Sequence, residues 1–154
     1  MAGDLVKVSV SDVRVAVAAG PGVEAGMVTL RENEPPHRAV PIVIGQPEAR
    51  AIQGAWTGAV QARPSTWDLF VAALDSIEAS IERVIVTAVE DHRHFFACID
   101  LSSGGQTRPL PARPSDAIAL ALRARGAEIF VAESVMAALG MPAAPSDEHP
   151  PSYN

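Results

Sequence analysis

The sequence predicts an α+β domain built from a mixed, mainly antiparallel sheet with helices. Short stretches in which apolar and polar residues alternate are joined by tight turns, which is typical of antiparallel strands. Other segments carry helix caps and apolar residues at helical spacing. Hydrophobic residues make up 48% of the 154 residues, enough for one core. We predict one domain over residues 1–140 and a disordered, proline-rich tail over residues 141–154.

Alternation of apolar residues predicts the strands. They cover residues 5–17, 27–31, 40–44, 81–89, 94–101 and 128–131. In the first strand, valines occupy even positions up to Val10 and odd positions from Val13 onwards, so we expect a β-bulge near Ser11. Residues 102–106 are predicted to form a turn because they are rich in Ser and Gly.

Capping signals and glycines predict the helices. They cover residues 47–56, 66–79, 116–125 and 133–139. Gly58 is expected to end the first helix and Gly126 the third. The apolar positions of the second helix include Leu69, Leu74 and Ile77.

The tetrapeptide Ala-Arg-Pro-Ser occurs twice, at residues 62–65 and 112–115, and a helix is predicted after each copy. We interpret the two segments as related loop-helix units. Ser65 and Asp68 have the spacing of a capping box, and Ser115 is predicted to be the N-cap of the third helix. That helix is apolar almost all round, so we expect it to be buried.

Charge and cysteine content narrow the function classes. The net charge is −6 with only 12 Lys and Arg residues, which works against nonspecific affinity for nucleic acid. Cys98 is the single cysteine, which excludes an intrachain disulfide, and we interpret it as a small core residue. No apolar run approaches the length of a membrane span, and the N-terminus lacks a signal-like pattern. We expect a cytoplasmic protein without membrane contact.

Three motifs carry a resemblance to a known family. Residues 41–49 (PIVIGQPEA) resemble the LPIWIGxxEA segment of the bifunctional nuclease domain family, and residues 63–69 (RPSTWDL) resemble its RPxTHDL segment. Residues 112–121 with 128–131 resemble its ARPSDAIALALR…IFV segment. The likeness extends from about residue 5 to 140. It implies a small α+β domain, a homo-oligomer such as a dimer, and nuclease activity on DNA and RNA.

The chain departs from the family pattern at two positions. Trp67 stands where the family usually has His, a residue type that can act as a general base or a metal ligand. Ser65 replaces a residue that is usually hydrophobic.

A nuclease needs an activated water and positive charge near the phosphate. The candidates for catalysis are Asp68 and Asp116 as carboxylates and Arg63 and Arg113 as phosphate clamps. If the two loops meet in space, all four side chains would line one cleft. The alternative is structural: Arg63 and Arg113 would pair with Asp116 and Asp68 and hold the two units together.

Four further residues at helix starts are candidates for substrate binding: Glu48, Ser65, Thr66 and Ser115. The structural alternative is that Ser65 and Ser115 are ordinary helix caps and Glu48 is an acid in a first helical turn, and we favour it for these three residues. The metal requirement stays open, and a divalent cation such as Mg²⁺ is one cofactor that would suit this chemistry.

Two other features have simpler interpretations. His92 and His94 have the spacing of a metal site, but they lie at a predicted hairpin tip and favour a solvated turn. Trp56 and Trp67 are interpreted as core or oligomer contacts. Because the chain is acidic, the second hypothesis is a non-catalytic homo-oligomeric binding or regulatory module.

Overall fold

The computed structural model describes residues 3–143, and within them it confirms the α+β class. The strands are β1 (Leu5–Gly20), β2 (Val23–Glu32), β3 (Ala39–Ile44), β4 (Ala79–Glu90), β5 (His94–Ser103), β6 (Gln106–Ala112) and β7 (Glu128–Ala132). The helices are α1 (Gln46–Thr57), α2 (Thr66–Ser76), α3 (Pro114–Ala121) and α4 (Glu133–Leu139).

The strands of the described region form one sheet in the order β3-β2-β1-β7-β4-β5-β6. Neighbouring strands pair antiparallel, except that β7 runs parallel to β4. The parallel pair is possible because α3 lies between β6 and β7 in the chain and returns it across the sheet. The prediction of a mixed, mainly antiparallel sheet is therefore confirmed.

The expected bulge in β1 is present. Val10 pairs with Leu30 and Asp12 with Thr29, so Ser11 is the extra residue. This residue changes the parity of the strand, and as a result Val8 and Val13 are both buried.

Helices α1, α3 and α4 contribute buried side chains to one apolar cluster with the sheet, and α2 packs partly buried side chains against it. The cluster includes Val28, Ile42, Val84 and Val131 from the strands. Helix α1 approaches β2 so closely that a Cβ atom at Gly26 would collide with the Cβ atom of Ala49. Gly26 is thus required by packing rather than by its backbone conformation.

Strand β6 was not predicted from the sequence. Pro109 and Pro111 argue against a central strand, and β6 is in fact an edge strand that pairs only with β5 among the described strands. An edge strand accommodates proline because the missing N–H can face solvent.

The predicted start and end of α3 were both wrong. Its N-cap is Arg113, not Ser115, and Ser115 lies in the first turn with 6% of its surface exposed. The helix ends at Ala121, and Gly126 adopts its positive φ of 73° in the turns that follow. The predicted burial is confirmed, since Asp116 is the only residue of α3 that is not buried.

Helix α2 is more exposed than α1, α3 and α4. It ends at Ser76, shorter than predicted, and none of its residues is fully buried. Leu74 packs against the core, but Leu69 is 64% exposed and Ile77, just beyond the helix, is 68% exposed. An apolar stripe of α2 therefore faces away from the core.

The predicted tail falls mostly on residues 144–154, which lie outside the described residues. Before that point, Met141 forms a β-bridge with Ala39, the first residue of β3. In residues 3–143, no helix combines the length and apolar character needed to cross a membrane.

Candidate functional site

The start of α2 is fixed by a complete capping box. The Ser65 hydroxyl accepts a hydrogen bond from the Asp68 backbone N–H at 3.2 Å, and the Ser65 backbone N–H donates to Asp68 Oδ2 at 2.7 Å. The Ser65 hydroxyl also donates to that oxygen at 2.8 Å. These two donors, reinforced by the Arg123 guanidinium, lower the pKa of the Asp68 carboxyl.

Arg123 joins the first three helices. Its Nε donates to Asp68 Oδ1 at 2.9 Å, while Nη1 and Nη2 donate to the carbonyl oxygens of Ala119 and Ala51 at 2.8 and 3.0 Å. Only 12% of its side chain is exposed. Both carboxylate oxygens of Asp68 thus accept hydrogen bonds within a structural network, which makes Asp68 a weak candidate for a general base.

The start of α3 carries an ion pair between Arg113 and Asp116 instead of a capping box. Arg113 donates to Asp116 through two parallel bonds, Nε to Oδ2 at 2.7 Å and Nη2 to Oδ1 at 3.1 Å. The same Nη2 lies 3.6 Å from Glu48 Oε1, at the start of α1. These two carboxylates raise the pKa of Arg113, with Asp116 as the larger cause. Gly45, the N-cap of α1, leaves the space in which the Glu48 carboxylate lies.

Trp67 contacts both the Asp68–Arg123 network and the Arg113–Asp116 ion pair. Its Nε1 donates to Asp116 Oδ1 at 3.3 Å, and the Arg123 guanidinium carbon lies 6.0 Å from the centroid of its ring. The side chain is partly buried against the core, as predicted. The position that usually holds His in the family therefore holds an N–H donor that does not titrate.

The described residues line two separate depressions here, not the single cleft that would hold all four candidate side chains. The first, which we name the Arg63 pocket, has a volume of about 590 Å³ and is lined by Arg63, Asp68 and Arg123 together with the end of α1. Arg63 is exposed and makes no ion pair with any described residue. The expected cross-pairing of the two arginines with the two aspartates does not occur.

The second depression, which we name the Arg113 pocket, has a volume of about 490 Å³. Its polar residues are Glu48, Thr66, Arg113 and Asp116. Its apolar wall comes from α2, β6 and the core: Trp67, Phe70, Ile99, Leu110, Pro111, Ala112 and Leu120. The volume falls within the range of roughly 300–1,000 Å³ that is usual for small-molecule sites.

The remaining candidates are placed as follows. Thr66 is exposed at the Arg113 pocket, whereas Ser65 is half-buried as the cap of α2. Ser115 is buried in the first turn of α3 and does not line the Arg113 pocket. The Arg113 pocket thus brings together Glu48, Thr66, Arg113 and Asp116, and it leaves out Arg63, Ser65, Asp68 and Ser115.

No group of three or more His, Cys, Asp and Glu side chains suited to a metal ion occurs in residues 3–143. His92 and His94 are exposed at the hairpin between β4 and β5, as expected. Cys98 is half-buried and lies outside the core cluster, so its interpretation as a core residue was wrong. It alternates with Ala97 and Ile99 and therefore points to the opposite face of the sheet. Burial and the nearby Asp100 raise the pKa of its thiol.

Sequence reasoning missed three residues of this region. Leu110 belongs to the strand that was not predicted, so nothing indicated its position on the pocket wall. Phe70 was part of the predicted helix, but periodicity did not distinguish its pocket-facing position from a core position. Arg123 was considered only as a charge near the end of α3.

The relatives found by comparison with known proteins are described as uncharacterized. The chain is 36% identical over 104 residues to a protein described as uncharacterized in two strains of Mycobacterium tuberculosis. The matched region covers 68% of this chain and 60% of each relative, so the chain spans about three fifths of the length of these relatives. Residues 28–144 match the family model described as the bifunctional nuclease domain. The match includes the starts of α1, α2 and α3, the three helices that Arg123 joins. The chain belongs to the bifunctional nuclease domain family.

Proposed function

We propose that this chain is a nuclease that hydrolyses phosphodiester bonds of DNA and RNA at the Arg113 pocket. Family membership supports a nuclease-related function. The observation that carries the choice of site is that Arg113, with 65% of its side chain exposed, stands beside two carboxylates and an apolar wall. The Arg63 pocket lacks this combination, because its lining holds a single carboxylate, Asp68, which accepts from Ser65 and Arg123.

Arg113 is the phosphate-binding group in this proposal. Asp116 occupies its Nε and one N–H of Nη2, while Nη1 bonds to no described residue and lies on the exposed side chain. A guanidinium held in this way keeps its charge and is already oriented, so little rotamer entropy is lost when a phosphate oxygen binds.

Glu48 is the carboxylate of the pocket that is more available for water activation, because Asp116 already accepts two hydrogen bonds from Arg113 and one from Trp67. The pocket carries two carboxylates and one guanidinium, an excess of one negative charge that would repel a phosphate. Mg²⁺ typically binds through one or two carboxylates together with waters and substrate phosphate, and this pair of side chains fits that pattern. Such an ion would supply the missing positive charge and lower the pKa of a bound water.

The test compares charge-removing variants with a matched control. Purified wild type, Arg113→Ala, the Arg113→Ala/Asp116→Ala double variant, Arg63→Ala and Arg50→Ala are incubated with single-stranded RNA or DNA in Mg²⁺ and in EDTA. Arg50 is an exposed arginine of α1 outside the Arg113 pocket, so its removal changes the net charge equally.

We expect Arg113→Ala to lower kcat/KM by about 100-fold or more, the usual effect of removing a charge-stabilising donor, and Arg50→Ala to leave it unchanged. Arg63→Ala, in the other pocket, is expected to change it less than threefold, which is within about 1 kcal/mol. Equal rates in wild type and the Arg113→Ala/Asp116→Ala double variant would remove the pocket from the mechanism and indicate a contaminating nuclease.

A second candidate, a non-catalytic homo-oligomeric module, is favoured by the stripe of Leu69 and Ile77 on the outside of α2. Strand addition is a poor route to such an oligomer, because both edges of the sheet carry prolines, Pro41 in β3 and Pro109 in β6. Contact through α2 is the route that the exposed side chains support. Light scattering on wild type and Leu69→Asp tests it: a dimer that the variant dissociates supports the module, and a monomeric wild type excludes it.

A further inference from the structure

The apolar wall of the Arg113 pocket is unusual for a site that needs only to bind phosphate. Phe70 is 37% exposed and Leu110 is 39% exposed, on α2 and β6 respectively. Both line the same pocket as Arg113, and Pro111 continues the wall. Exposing large apolar side chains is unfavourable, so a wall of this kind beside an exposed guanidinium fits a ligand that has both an anionic part and a flat apolar part.

We infer that the Arg113 pocket takes an unstacked nucleobase against Phe70 and Leu110 while Arg113 binds the adjoining phosphate, so that the substrate is single-stranded nucleic acid. The inference rests on the proposed function and names its substrate class. A base within a duplex shows only its edges in the grooves and cannot place its face on a wall. Extraction of such a base costs unstacking and unpairing energy that a single strand does not need.

The residues of the pocket also argue against strong base selectivity. The faces of all four bases stack on aromatic side chains, so contact with Phe70 does not depend on sequence. The polar groups of the pocket are mostly engaged with one another: Asp116 accepts from both Arg113 and Trp67, and Glu48 lies near Arg113. They leave few groups to read the edge of one base, so we expect similar binding of different single-stranded sequences.

The pocket suits this occupant better than a second copy of the chain. A copy would have to bury three charged side chains that lie together, Arg113, Glu48 and Asp116, against its own surface, which carries a desolvation cost. The stripe of Leu69 and Ile77 does not line the pocket and provides the more suitable contact between copies.

The experiment measures binding and cleavage separately. A short fluorescein-labelled DNA strand, alone and annealed to its complement, is titrated with protein in Ca²⁺ by fluorescence anisotropy. A gel of the same samples verifies that the strands are intact. The variants are Phe70→Ala, Phe70→Trp and the matched control Leu69→Ala, which removes a neighbouring exposed apolar side chain of α2 outside the pocket. Cleavage of both substrates in Mg²⁺ is followed in parallel.

We expect the wild type to bind the single strand at least about tenfold more tightly than the duplex, because the duplex must release a base. Phe70→Ala should weaken single-strand binding by about tenfold or more, Phe70→Trp should retain it, and Leu69→Ala should match the wild type. Circular dichroism melts of the variants exclude misfolding as the cause.

Equal affinity for both substrates, or an unchanged affinity in Phe70→Ala, would overturn the inference. So would a variant Phe70→Ala that alters only the mass measured by light scattering, which would assign the wall to self-association. Cleavage of single strand and duplex at equal rates would reject the inference and leave the nuclease standing. Tight single-strand binding through Phe70 without any cleavage would support the base pocket and reject the nuclease.

Discussion

Replacing Arg123 with alanine should destabilise the fold more than any exposed charge substitution, because this side chain connects α1, α2 and α3. The change removes bonds to the carbonyls of Ala51 and Ala119 and to the Asp68 carboxylate. A hydrogen bond with a charged partner contributes about 1.5–3 kcal/mol, so the two carbonyl contacts contribute about 3 kcal/mol at the lower figure. The Asp68 side chain is 40% exposed, which limits its pairing with Arg123 to about 1 kcal/mol.

The expected loss is therefore about 4 kcal/mol in the free energy of unfolding, or a fall in Tm of roughly 8–16 °C for a chain of this size. Urea denaturation followed by circular dichroism measures it. Arg125→Ala is the matched control, since Arg125 is exposed nearby and its loss should stay within about 0.5 kcal/mol. A double-mutant cycle with Asp68→Asn isolates the ion pair. If Arg123→Ala were within 1 kcal/mol of the control, the assignment of Arg123 as the connecting residue would be refuted.

Three further predictions concern the rest of the fold. Arg38 lowers the pKa of the Glu32 carboxyl below its ordinary value of 4.5. The stability that this ion pair adds is therefore present above about pH 4.5 and is lost as the pH falls through the lower pKa of the folded state, so the Tm of Glu32→Gln should fall less steeply than that of the wild type as the solution is acidified. Gly26→Ala should lower the free energy of unfolding by about 1–3 kcal/mol because its Cβ meets Ala49, and combining it with Ala49→Gly should restore part of the loss in the same melts. Cys98, whose thiol pKa is raised, should react with iodoacetamide at pH 8 more slowly than free cysteine, and a faster reaction would contradict its half-buried position.

The sequence was most informative where a local pattern determines the structure. The change of valine parity in β1 predicted the bulge at Ser11, and the Ser65–Asp68 spacing predicted the cap of α2. Both features depend on residues within a few positions of each other. The bulk of the sheet could be predicted for the same reason, because strand alternation is a local signal.

Contacts between distant segments could not be predicted. Arg123 donates to Ala51, and Trp67 donates to Asp116, and each pair is far apart in the chain. Strand β6 was missed because its prolines are compatible only with an edge position, and that position depends on the whole sheet. The Arg113 pocket has its wall on β6, so the candidate site could be predicted only in its polar half.

The two loops share the Ala-Arg-Pro-Ser segment, but their helices begin at different positions relative to it. In each unit the aspartate is the third residue after the N-cap: Ser65 precedes Asp68, and Arg113 precedes Asp116. The helix start thus follows the aspartate and not the shared tetrapeptide, because an acid at that position faces the unpaired amides of the first turn.

The first unit has two residues, Thr66 and Trp67, between its serine and its aspartate, and the second has none. This difference moves Arg63 away from Asp68 and into solvent, whereas Arg113 becomes the N-cap and binds Asp116 directly. The added Trp67 then donates to the aspartate of the other unit. Two units that begin with the same tetrapeptide therefore have different roles: the first holds the helices together, and the second presents a charged group to solvent at the Arg113 pocket.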